Sequence, residues 1–189
     1  MAAWRKLCKL STGDCAGPIA APGKTRYFPA MKHVISAIVL ALVGLVSVAP
    51  AAAQDCAQIE VQPLPVSPLV IGTERGEQHF QVEVATGTSE REIGLMCRLG
   101  LLPGTGMLFD FGSPRPTAFW MRNTLIPLDM FFIGESGVIE SIHAEAKPLD
   151  ETPIGPTGPV RFVLELAGGS AASLGIRLGD RVEHSLILN

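Results

Sequence analysis

Hydrophobic residues alternate with polar ones through much of the C-terminal two-thirds of the chain. "HFQVEVA" (79–85) sets Phe80, Val82 and Val84 on one face and His79, Gln81 and Glu83 on the other, the pattern of a half-buried strand. "MLFDF" (107–111), "TAFWM" (117–121), "LDMFFI" (128–133), "VIESIHA" (138–144) and "VRFVLEL" (160–166) predict further strands. "GESG" (134–137) between two of them predicts a hairpin turn. "GDRVEHSLIL" predicts a turn and a last strand, with Val182, Leu186 and Leu188 inward and His184 as a hydrogen-bonded core histidine. Helix is scarce. Ser89 and Glu92 form a capping-box pair that opens a short helix to about Arg98, with Gly100 placed to end it. A briefer helix spans Ser170–Leu174 and stops at Gly175.

Prolines mark the segments that cannot pair. Residues 57–73 hold three of them and read as an extended arm or edge strand. Residues 147–159, with four prolines and two glycines, predict a long irregular loop. Short strands, turn signals about every ten residues and little helix predict a mostly β domain, a compact barrel or sandwich with one or two short helices.

The N-terminal third follows a different pattern. Met31-Lys32-His33 precedes the apolar run "VISAIVLALVGLVSV" (34–48), and "APAAAQ" (49–54) supplies small residues. That order is a secretory signal peptide over 31–53 with cleavage after Ala53, implying a periplasmic or secreted protein that meets the membrane only through this segment. Residues 1–30 show no periodicity and read as an N-terminal extension or a start codon chosen too early. The organisation expected is extension 1–30, signal 31–53, extended arm 54–74 and β domain 75–189.

Composition changes once the leader is set aside. Residues 54–189 carry nine Lys+Arg against seventeen Asp+Glu, a net charge of −8. So acidic a domain repels phosphate backbones, which argues against nucleic acid as a partner. Its two cysteines, Cys56 and Cys97, could form a disulfide in an oxidising compartment or remain separate thiols; spacing alone leaves both open.

"FWMRNTLIPLDMFFI" (119–133) is where chemistry and pattern conflict, since Arg122, Asn123 and Asp129 lie inside the most apolar stretch. A buried guanidinium needs acceptors or a carboxylate, and Asp129 across Pro127 is expected to orient Arg122. One reading is a buried polar knot that fixes a turn. The other is an anion clamp, with Arg122 and Asn123 as contacts, Trp120 as wall and indole donor, and Arg91 as a second cation. No cofactor or metal is implied. Met96, Met107, Met121 and Met130 could serve copper(I), but they stand among Leu and Phe and suit core packing better. A Cys97–His143 pair, or Asp129, could support catalysis, so whether the protein is an enzyme stays open. The partner expected is a small anionic ligand or another protein.

"TSEREIGLMCR", "GMLFDF", "FWMRNTLIPLDMFFIGESGVIESI" and "VLELAGG…GIRLGDRV" occur in this order between about residues 75 and 187. Together they resemble the DUF192 family, domain of unknown function 192. The resemblance implies a compact, mostly β fold and an exported member, and it implies no reaction. The "IGPTGP" loop (154–159) and Cys97 depart from the family's usual pattern, and Cys97 thereby suits a packing role.

Overall fold

A computed structural model describes residues 56–61 and 63–187. The expected extension, signal peptide and cleavage site lie outside these residues. Seven strands form one curled sheet, a half-barrel with two short helices. They are β1 (Val66–Thr73), β2 (Gly76–Ala85), β3 (Thr105–Arg115), β4 (Leu128–Ile133), β5 (Ile139–Ala146), β6 (Val160–Ala167) and β7 (Arg181–Glu183). The spatial order is β5-β4-β6-β3-β2-β1-β7. The mostly β expectation holds.

Most neighbours pair antiparallel, but β2 and β3 run parallel, with Val84 opposite Leu108. A parallel pair needs a crossover, and helix α1 (Thr88–Ile93) lies on that crossover. Both faces of the sheet are covered. Leu69, Ile71, Phe80, Val82, Phe131, Phe162 and Leu164 form one buried cluster. Met107, Phe109, Met121, Met130, Phe132 and Val163 form the other. All six residues of β4 are therefore buried, which explains why "LDMFFI" lacks a polar face.

Several local expectations hold and others shift. The β4–β5 hairpin turns through Gly134–Gly137, and helix α2 (Ser170–Leu174) ends at Gly175 in the left-handed region. The α1 cap sits earlier than Ser89 and Glu92 suggested. Glu90 accepts the amides of Gly87 at 2.7 Å and Thr86 at 2.8 Å, and the helix stops at Gly94 instead of Gly100. A side chain at Gly94 would press on Phe109, 3.2 Å from its ring. Residues 66–73, expected as an extended arm or edge strand, form a strand that pairs with β2 along its length and with the short β7 on its other side.

"TAFWM" does not form a strand. Only Phe119 makes a bridge, exchanging backbone hydrogen bonds with Ile154 at 2.7 and 2.8 Å. The last strand is also shorter than its alternation implied, since Leu186 falls in the turn after β7. His184 is buried as expected, its Nε2 2.5 Å from the Ser67 hydroxyl while Nδ1 accepts the Leu186 amide at 3.2 Å.

Cys56 and Cys97 form a disulfide with Cα atoms 5.5 Å apart. It ties the segment before β1 to the turn after α1. Cys97 therefore offers no free thiol for a dyad with His143, which is exposed on β5.

Candidate functional site

The stretch 119–127 runs over the second face of the sheet and is strapped down at several points. Met121 donates its amide to Asp150 and its carbonyl accepts from Leu149, at 2.8 and 3.1 Å. Asn123 adopts φ 56°, a left-handed conformation that Asn tolerates better than most residues, and its carbonyl accepts the Cys97 amide at 2.8 Å. Asn123 thus serves a turn.

Arg122 and Asp129 do not meet as expected. Arg122 is exposed, and its guanidinium lies 4.8 Å from the centre of the Trp120 ring, itself 45% exposed. A cation placed in water over an indole needs no buried acceptor. Asp129 is fully buried, and its oxygens accept backbone amides of Glu145 (2.7 Å), Gly169 (3.1 Å) and Ala171 (2.7 Å). The carboxylate joins β4 to β5 and to the start of α2. Its orienting role is toward these backbones instead of Arg122.

Beneath this stretch lies a cavity of about 300 Å³. Ile93, Leu95 and Met96, at the end of α1 and just after it, form one wall. Phe109 and Phe111 of β3 form another, with Phe119 packed edge-on against both at 5.2 and 6.2 Å. Trp120 lines the rim, as do Thr88, Thr117 and Glu92. Of the five residues singled out from the sequence, Trp120 and Arg91 line this cavity, whereas Arg122, Asn123 and Asp129 do not.

Two cations flank its mouth. Arg91 donates to the carbonyls of Thr86 and Asp110, the latter at 3.0 Å, and sits 5.3 Å from the centre of Phe111. Arg115, exposed at the end of β3, lies 5.9 Å from the same ring and pairs with no carboxylate among the described residues.

The residue that sequence reasoning missed is Glu165. It lines the cavity from the middle of β6, opposite Met107 of β3 and Met130 of β4, and is only 4% exposed. Directly paired residues share a face, so two thioethers flank the carboxyl and offer it no donor. Burial alone pushes its pKa from 4.5 up to about 8. A signal existed, because Glu165 stands between Leu164 and Leu166 on a strand buried on both faces. It was obscured by Arg161, which makes the alternation look like an ordinary polar face. Arg161 in fact pairs with Asp110, at 3.2 Å from Nε to Oδ1.

The four methionines of residues 54–189 are buried. Met107, Met121 and Met130 belong to the apolar cluster and Met96 lines the cavity, the packing role their sequence context suggested. No group of three or more His, Cys, Asp or Glu side chains among the described residues could hold a metal ion.

The family model of DUF192, described as an uncharacterized ACR, matches residues 70–184, and the chain belongs to that family. Two solved structures resemble it closely. One, described as a candidate transcription regulator from Sinorhizobium meliloti, is 42% identical with a TM-score of 0.63, covering 66% of this chain and 97% of that one. The other, a protein of unknown function from Novosphingobium aromaticivorans, is 42% identical with a TM-score of 0.64, covering 67% and 90%. No curated protein matches the chain.

Proposed function

We propose that this protein is an exported binding module for a small anionic ligand with an apolar body. The observation that carries the reading is the cavity itself. Phenylalanine walls can cover the ligand's body while Arg91 and Arg115, both close to the Phe111 ring, face its charge. Arg91 is already held in place by two carbonyls, so little side-chain entropy is lost when it meets an anion. Arg115 has its charge unpaired among the described residues, and Trp120 supplies an exposed indole at the rim. Arg122, stacked on Trp120, can steer an anion inward although it lies outside the cavity.

Export rests on the leader at 31–53 and suits a domain held by the Cys56–Cys97 disulfide. One similar structure is described as a candidate transcription regulator. The net charge of −8 over residues 54–189 favours a small ligand over DNA here.

Native mass spectrometry of the protein isolated from its own cells tests the reading, with Arg115→Ala beside it. The expected result is an added mass on the wild type that is lost from the folded variant. A bare wild type that also shows no thermal shift with a panel of aromatic and aliphatic carboxylates would overturn it.

A further inference from the structure

Glu165 is not used by anion binding, yet it is the most unusual group in the cavity. Among the described residues its carboxyl makes no hydrogen bond and no ion pair, although the residue is 4% exposed and lines a cavity large enough for a ligand. A buried carboxyl without a donor is costly unless something that enters the site satisfies it. Its neighbours on the paired strands, Met107 and Met130, offer only weak acceptors. The rings of Phe109, Phe111 and Phe119 line the same cavity, and aromatic rings attract cations.

We propose that Glu165 is the receptor for an ammonium group, so that the ligand is an amino carboxylate with its amine at the floor and its carboxylate at the mouth. This deepens the binding reading and rests on it. The two polar ends are separated in depth, because Glu165 is buried on the interior strand β6 while Arg115 is exposed at the end of β3. An α-amino acid, whose charges are adjacent, fits that separation poorly. A compound with an aromatic or aliphatic spacer between them fits it well.

Before binding, the carboxyl holds its proton near neutral pH, as burial dictates. On binding an ammonium, Glu165 gives that proton to solvent and keeps the O–H electron pair as a carboxylate. The ligand's nitrogen keeps all its hydrogens and donates one or more to Glu165.

The test uses 4-(aminomethyl)benzoate, 4-methylbenzoate, which lacks the amine, and benzylamine, which lacks the carboxylate. Binding to the full protein is measured at pH 7 by titration calorimetry in two buffers of different ionisation enthalpy. The amino carboxylate is expected to bind tighter than 4-methylbenzoate by on the order of tenfold to a hundredfold, the worth of one charge-assisted hydrogen bond. Its binding should release close to one proton, and Glu165→Gln should abolish both the preference and the release.

Equal affinity for the two carboxylates, with no proton released, would overturn the role of Glu165 and leave the anion-binding reading standing. Benzylamine that binds with proton release, insensitive to Arg115→Ala, would support Glu165 and sink the anion reading. Failure of all three compounds to bind would overturn both. The comparison among probes on the wild type stands whether or not the Gln variant folds.

Discussion

Replacing Glu165 by Gln should make the protein more stable in mild alkali. The substitution keeps the shape of the side chain and removes its ability to ionise. In the wild type the carboxyl titrates at about 8 when folded, against 4.5 as its ordinary value. Between these values the folded state holds a proton that the unfolded state has lost, so stability must fall as pH rises. The slope is about 1.4 kcal/mol per pH unit, and the loss reaches up to about 5 kcal/mol before it levels off above the folded pKa. That is a large part of the 5–15 kcal/mol, roughly, that a domain of this kind possesses. The Gln variant lacks this loss. Urea unfolding of both proteins from pH 4 to 9 gives the difference directly, since other titrating groups are common to both. The two should be nearly equal near pH 4, and the variant should lead by several kcal/mol near pH 9. A difference that stays flat with pH would show that Glu165 ionises normally in the folded state and that the buried environment argued for it is wrong.

Asp129→Ala should cost about 3 kcal/mol, because it leaves three part-buried backbone amides without their acceptor, whereas exposed Arg122→Ala should stay within about 1 kcal/mol; chemical denaturation of the pair checks the contrast. Joint replacement of Cys56 and Cys97 by Ser should lower stability by about 2–4 kcal/mol, given the 41-residue separation that the disulfide closes, measured against the wild type under oxidising conditions. Phe119→Ala removes a ring that packs edge-on against Phe109, Phe111 and Phe132 and should cost about 3 kcal/mol, read as a lower unfolding midpoint. On the acid side, burial depresses the pKa of His184 below 6.5, with Asp110 opposing. Its neutral form is therefore the folded one, and stability should fall as pH drops below 6.5; His184→Gln should flatten that decline in thermal unfolding.

The chain's own pattern was enough for the parts of this protein that local physics dictates. Alternation marked β2 and β5, apolar β-prone runs marked β4 and β6, the Gly-rich turn marked the hairpin, and Gly175 marked the end of α2, because each depends on neighbours within a few residues. The conflict between polar and apolar residues in 119–133 was equally visible, and so was the family. The partners were not visible. Asp129 binds amides 16, 40 and 42 residues away in the chain, so no window of sequence could show that its carboxylate holds backbone and leaves Arg122 to the solvent. The parallel pairing of β2 with β3 likewise depends on how the crossover returns. The cavity is wholly tertiary. Its walls come from the end of α1, from β3 and from the loop after it, and its buried carboxyl comes from β6. Sequence could say that Glu165 sits among leucines; only the fold of those distant segments decided that it would be buried and face a space that a ligand can fill.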